Sequence, residues 1–275
     1  MLTKPHALLV GIALTVFLAT CAVAQAVPSL ETGYRDMYNL QFQAAHDLFR
    51  QWESENPTDP LGPVSDAAAY LFAEFDRLHV LESELFIDNK SFEERSKPSA
   101  DPKVKQAFQD QLAKAEELAD KKLAKQPGNP DAMFAKAMAM GMRGDYAAMI
   151  EKRDLAGLSY TKSARTLAEQ LLAKDPDYYD AYLAIGVENY LLSQQSAPMR
   201  WILRATGAQT DKEAGLHNLR LTAEHGHYLL PYARLLLAVA ALRDHDRAQA
   251  RDLLAGLARE FPENPLYAKE LAKLQ

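Results

Sequence analysis

Four segments that end in proline carry an alanine at the same place, and this pattern constrains the fold more than any other feature. The prolines are Pro57, Pro127, Pro176 and Pro262, and the alanines twelve residues before them are Ala45, Ala115, Ala164 and Ala250. Proline stops a helix because it has no amide hydrogen and its ring clashes with the preceding turn. A small residue is needed where two helix backbones approach closely. The pattern therefore predicts four similarly packed helices, each ending near its proline.

The last of these segments, residues 233–262, shows what one unit contains. Its apolar residues recur at helical spacing in two stripes, which a polar run at 244–246 separates. The stripes comprise Leu236, Leu237, Ala240 and Ala241, then Ala250, Leu253, Leu254 and Leu257. One such pair of helices cannot bury both stripes alone, so it requires neighbouring pairs.

The remaining chain follows the same helix–break–helix order, and no stretch alternates apolar and polar residues as a strand does. The 12 glycines and 14 prolines are also few for a β-rich chain with many turns. We therefore predict an all-α protein with a linker at 25–33 and one domain at 34–275. Its units end near residues 57, 127, 176 and 262, and its first helix covers 34–55, either straight or with an early bend.

The repeated unit resembles the tetratricopeptide repeat (TPR). The matching features are Tyr182 four residues before Gly186, a Gly144-Asp145-Tyr146 turn, and the four alanines and prolines. The resemblance implies an α-solenoid of antiparallel helix pairs, a TPR-like superhelix, in which the first helix of each pair lines an inner groove. The unequal spacing of the prolines implies loops or helices inserted at 81–100, after Tyr146 and at 193–226.

A second, fainter likeness is to the eukaryotic mitochondrial inclusion-body-clearance TPR family. It rests on Asn189 to Ser193, Pro198, Gly207, Asp211 to Glu213, and Gly215-Leu216. This chain has Lys212 where that family usually has arginine. The likeness supports a divergent class of TPR protein, and the N-terminal residues described next predict that it is of the bacterial exported type.

The N-terminal 24 residues have the features of a secretory signal peptide. Lys4 precedes an almost wholly apolar run, and Ala22-Val23-Ala24 supplies the small residues at a cleavage site. A cut after Ala26 is the alternative. Either cut predicts an exported protein of the periplasm or cell envelope.

Cys21, the single cysteine, permits a different N-terminus. The run Leu18-Ala19-Thr20-Cys21 is similar to a lipobox, which would make Cys21 the acylated residue of a lipoprotein. Membrane association is expected only through this possible lipid anchor. The formal net charge of −6 argues against nucleic acid as a partner, because nucleic-acid binding depends on neutralising phosphates.

The predicted inner face of the array is apolar. By alignment with the TPR pattern it contains Phe134, Met138, Leu183, Val187, Tyr190, Leu235 and Val239. A TPR face that binds an acidic peptide C-terminus carries lysine, arginine and asparagine. This face has none of them, so it does not suit such a ligand. Two interpretations remain: a groove for an apolar or amphipathic segment of a protein or peptide, or ordinary core covered by the inserted segments.

The inserted segment at 196–205 is a second candidate for partner binding. Its apolar residues are flanked by arginines, and the candidates are Met199, Arg200, Trp201 and Arg204. In the functional interpretation, the segment is a lid, a partner-binding hairpin or an interfacial helix. In the alternative interpretation, it is a short helix that packs Trp201 against the other helices.

No catalytic, metal-binding or cofactor-binding motif is recognisable in the mature sequence. Glu188, beside Tyr182 and Tyr190 on a largely apolar helix, is a candidate for a perturbed carboxylate, although pairing with Arg200 or Arg204 is the simpler expectation. We predict a non-enzymatic interaction or scaffolding module of the cell envelope, without cofactor. The alternatives are an enzyme with a pocket near Glu188, Tyr190 and Trp201, or a lipid-anchored accessory factor of an envelope complex.

Overall fold

A computed structural model describes residues 29–82, 90, 94–194 and 210–274. The predicted signal peptide, Cys21 and the segment with Met199, Arg200, Trp201 and Arg204 lie outside the described residues.

The described residues form eleven α-helices and no strand, which confirms the all-α prediction. They are α1 Leu30–Tyr38, α2 Phe42–Glu55, α3 Leu61–Arg77, α4 Pro102–Lys125, α5 Pro130–Asp145, α6 Asp154–Leu172, α7 Tyr182–Ser193, α8 Lys212–His225, α9 Leu230–Arg243, α10 Arg247–Glu260 and α11 Pro265–Ala272. A π-helical turn, Tyr146–Ile150, follows α5, and a short 3-10 helix, Tyr179–Ala181, precedes α7.

Adjacent helices pack against each other along the described chain, and alternate helices add a second set of contacts. Helix α1 contacts α3, α3 contacts α5, and α5 contacts α7. Helices α1, α3, α5 and α7 therefore form a row, and the main apolar core contains residues of this row and of the helices packed beside it.

The alanine–proline pattern marks the helices that pack behind this row. Helices α2, α4, α6 and α10 end two to four residues before the four prolines. Ala45, Ala115, Ala164 and Ala250 are each at most 1% exposed. The alanines therefore lie at close helix contacts, as the sequence pattern predicts.

The structure differs from the prediction at the linker before α1 and at the turn after α5. Helix α1 begins at Leu30, inside the predicted linker at 25–33, and the bend before α2 lies at Leu40, whose φ is 63°. The predicted turn at Gly144-Asp145-Tyr146 is helical instead, and the chain reverses near Lys152, whose φ is 55°. Gly144 faces Gly157 across α5 and α6, where an added Cβ would lie 3.3 Å from the Gly157 carbonyl oxygen.

The first and last helices meet. The Asn264 side-chain amide donates a 2.9 Å hydrogen bond to the Tyr38 carbonyl oxygen, and the Tyr38 ring lies 5.6 Å from that of Phe261. Lys269 of α11 also forms a 2.6 Å ion pair with Glu82, which follows α3 in the chain. Contacts between residues more than 180 positions apart thus join the end of α1 and the segment after α3 to α11 and the residues just before it.

Replacing Gly215 of α8 with alanine is expected to destabilise the protein by about 2–3 kcal/mol. A Cβ at Gly215 would lie 2.7 Å from the Tyr190 backbone nitrogen, so α7 and α8 would have to separate. Urea unfolding followed by circular dichroism measures the change.

Gly256 in α10 provides the matched control, because a Cβ there meets nothing within 4 Å. Gly256→Ala should stabilise the protein by about 0.5–1 kcal/mol, since alanine is the better helix former. Equal effects of the two substitutions would contradict the close approach of α7 and α8.

Candidate functional site

A cavity of about 80 Å³ lies among the odd-numbered helices and is open to solvent. Its walls are almost entirely apolar. They include Phe72 from α3, Met138 and Met142 from α5, and Leu183 and Val187 from α7. Concave sites with mostly apolar walls and a few polar groups are the usual form of a binding site.

Four of the seven predicted groove residues line this cavity: Phe134, Met138, Leu183 and Val187. The other three lie elsewhere. Leu235 lines a second cavity, Tyr190 belongs to a separate apolar cluster with Leu216 and Leu219, and half-buried Val239 lines neither cavity.

The cavity is smaller than a continuous groove because α1 and the loop before α9 cover part of the inner face. The Tyr34 hydroxyl donates to the Met138 sulfur at 3.6 Å, and the Phe134 ring packs on Tyr178 and Tyr228. Phe134 and Met138 are only 2% and 8% exposed. Among the described residues, the chain's own first helix therefore fills much of the space that the sequence analysis assigned to a partner or to the insertions.

Two carboxylates, Asp145 and Asp180, line the cavity, and they differ in their hydrogen bonds. Asp180 is buried and accepts the backbone N–H groups of His227, Tyr228 and Leu229. Burial raises the pKa of Asp180, and these three donors oppose the rise. Asp180 thus has a structural role: it holds the turn that leads into α9.

Asp145, the last residue of α5, has a weaker set of partners. Its Oδ2 accepts the Tyr232 hydroxyl at 3.5 Å, which is long for an O–H···O hydrogen bond. Burial raises the Asp145 pKa from 3.8 to about 7, and the Tyr232 hydroxyl opposes this rise. The carboxyl group therefore has a pKa closer to neutral pH than that of an exposed aspartate, and it faces an apolar space.

The sequence analysis placed Asp145 in a turn and did not identify it as a cavity residue. A usable signal was present: Met138, Met142 and Asp145 are spaced by four and three residues. That spacing places side chains on one face of a helix, so extending α5 by one turn would have aligned the acid with the methionines.

Glu188 is paired inside the protein. Its Oε2 lies 2.7 Å from Arg165 Nε, and Glu188 is 3% exposed. Burial raises the Glu188 pKa, whereas the Arg165 charge lowers it. Glu188 and Tyr190 line neither cavity, and Trp201, the third residue of the enzyme alternative, lies outside the described residues. Arg165 is the partner of Glu188 among the described residues, and the expected partners Arg200 and Arg204 lie outside them.

The second cavity, of about 160 Å³, lies where the first and last helices meet. Met37, Phe75 and Leu235 supply apolar wall, and the Glu82–Lys269 ion pair lies at this cavity. Asp76 and His79 line this cavity as well, so its titratable groups are of mixed sign and favour no single class of ligand.

Comparison with known proteins does not assign this chain to a family. It matches no protein-family model and no curated protein. The chemistry of the cavity among the odd-numbered helices is therefore the basis for a functional proposal.

Two further observations concern the described residues alone. None of their helices is both long enough and apolar enough to span a membrane. Their histidines, aspartates and glutamates also form no group of three that could hold a metal ion.

Proposed function

We propose that this protein is a non-enzymatic binding module that takes an apolar anchor of a partner protein or peptide into the cavity among its odd-numbered helices. The observation that carries the proposal is the cavity wall itself: half-buried Leu183 and Val187 lie beside buried Met138 and Met142. Methionine side chains are unbranched and adapt to different ligand shapes. A buried anchor of this kind commonly supplies most of the binding energy of an interface.

The packing of the helices supports a TPR-like superhelix as the scaffold. Successive pairs lie side by side, and the first helices of the pairs contact one another in order from α1 to α7. In this proposal the superhelix is wound so tightly that its first and last pairs meet, which leaves a cavity in place of a long groove.

The N-terminal sequence supports a place in the cell envelope, with an envelope protein complex or a translocating polypeptide as the partner. The intact mass of protein from the soluble and membrane fractions tests this location. A chain that begins at Gln25 supports export with cleavage, and a diacylated Cys21 supports the lipid-anchored alternative. A chain that still begins at Met1 would contradict both.

Val187→Phe is expected to weaken partner binding at least tenfold, because the larger ring fills the cavity that the anchor occupies. Peptides selected from a random library against the wild-type protein provide the ligands, and titration calorimetry gives their affinities for wild type and variant. The selected peptides should share one anchor residue whose side chain is apolar at least along its stem.

Val239→Phe is the matched control, since Val239 is also half-buried and lines neither cavity. It should leave affinity within about twofold of wild type. Equal weakening by the two variants, or a library that yields no peptide binding this cavity, would count against the proposed function.

A further inference from the structure

The polar groups of the cavity are not equally satisfied. The Tyr34 hydroxyl accepts from Ser65 and donates to Met138, and Thr161 donates to the Gly157 carbonyl oxygen. Asp180 is satisfied by three backbone N–H groups. The carboxylate of Asp145 has only the long contact of Oδ2 with Tyr232, and no described residue donates to its Oδ1. Asp145 is therefore the one acidic lining group with capacity for a ligand donor.

The charges of the residues that line the cavity also favour a ligand that donates hydrogen bonds. Among the described residues that line it, two are aspartates and none is lysine, arginine or histidine. A carboxylate in an apolar surrounding loses hydration, and a cation within hydrogen-bonding distance restores favourable interactions to its charged form. The complementary ligand is thus apolar along its length and positively charged at its tip.

We propose that the cavity binds the side chain of a lysine from the partner segment, with its ammonium group on Asp145. Lysine combines a compact ammonium with a flexible four-carbon stem, whereas the planar guanidinium of arginine needs a wider site. A volume of about 80 Å³ holds roughly two to three groups of water size at ~30 Å³ each, which suits the end of one such stem. Met138, Met142 and Leu183 contact the methylenes.

This assignment rests on the proposed function and narrows it, because the anchor now carries a charge. It also gives each cavity residue a separate role. Val187 and the methionines determine whether any chain enters, and Asp145 determines which chain is preferred.

Small probes separate these roles. The probes are n-pentylammonium, 1-pentanol and pentanoate at pH 8, titrated by calorimetry into wild type, Asp145→Asn and Val187→Phe. Wild type should bind the ammonium at least tenfold more tightly than the alcohol, and the carboxylate least tightly. In Asp145→Asn the preference for ammonium should fall below about twofold, while affinity for the alcohol stays within twofold. Circular dichroism checks that both variants are folded.

The outcomes distinguish this inference from the function on which it rests. The lysine assignment is wrong if the alcohol and the ammonium bind wild type equally, or if Asp145→Asn keeps the preference for the ammonium. In either case, loss of binding of both probes in Val187→Phe would still support the cavity as a binding site. If none of the three probes binds wild type, the cavity itself and the proposed function are wrong.

Peptides test lysine as the source of the ammonium. In a selected peptide, replacing the anchoring lysine with norleucine should cost at least tenfold in affinity for wild type and less than threefold for Asp145→Asn. Such a double-mutant cycle isolates the pairwise interaction. Selected peptides without lysine, or equal losses in the two proteins, would overturn the assignment.

Discussion

Asp180→Ala is expected to lower the free energy of unfolding by about 3–5 kcal/mol, because it removes a buried carboxylate that accepts hydrogen bonds from three backbone N–H groups. The N–H groups of His227 and Leu229 lie 2.9 and 2.8 Å from its oxygens, and that of Tyr228 contacts both. The turn before α9 has no other acceptor of comparable strength at this place. Chemical denaturation monitored by circular dichroism measures the loss.

Two comparisons make the result specific to those hydrogen bonds. Asp180→Asn keeps one acceptor oxygen and should cost clearly less than the alanine variant. Asp177→Ala removes an exposed carboxylate three residues earlier and should change stability by no more than about 0.5 kcal/mol. If Asp180→Ala is as mild as Asp177→Ala, the turn does not depend on this carboxylate.

Asp145→Asn is expected to stabilise the protein at alkaline pH, by roughly 2–4 kcal/mol at pH 8. Burial raises the native pKa of Asp145 from 3.8 to about 7. Between these values the native state binds more protons than the unfolded state, so stability falls as pH rises, by up to about 1.4 kcal/mol per pH unit for one proton. The penalty is complete above pH 7 and absent below pH 4, and an amide at this position avoids it.

The measurement is the difference in unfolding free energy between wild type and Asp145→Asn at several pH values from 4 to 8. Taking the difference removes the contributions of the other titrating groups, except through direct coupling to Tyr232 and Asp180. The difference should be small at pH 4 and grow through pH 7. A difference that is constant with pH would show that the native pKa of Asp145 is near its usual value.

The helical architecture could be predicted because the sequence features that determine it involve residues close together in the chain. The Asp101 side chain accepts from the Lys103 and Val104 N–H groups at the start of α4, and Pro102 occupies the first turn, as the residue types suggest. Such capping depends on neighbours along the chain. It is therefore readable from one sequence.

Local sequence features gave the wrong secondary structure where a contact between residues distant in sequence determined it. Ser65 has the chemistry of a helix cap, yet α3 begins at Leu61 and the Ser65 hydroxyl donates to Tyr34 of α1. Gly144 has the chemistry of a turn, yet it lies inside α5 because Gly157 approaches it from α6. In each case a partner at least thirteen positions away in sequence overrides the local preference.

The candidate site was predicted only in part for the same reason. Alignment with the TPR pattern identified Met138, Leu183 and Val187 as residues of inner faces. It could not show that Tyr34 and Tyr228 would cover Phe134, since these side chains come from opposite ends of the chain. The shape of the cavity depends on how six helices are arranged, and periodicity describes each helix separately.

The contact between the first and last helices has a consequence for how this protein folds. In an open array of repeats, each unit contacts only its neighbours, so units can form in sequence and be removed one at a time. Here Tyr38 needs Asn264, and Phe72 packs on Tyr232, which ties the earliest helices to the latest. Pairings of such long sequence separation must overcome the entropy of closing a large loop before they contribute stability. The chain should therefore gain its full stability only when α11 has been synthesised, and it should unfold as one cooperative unit.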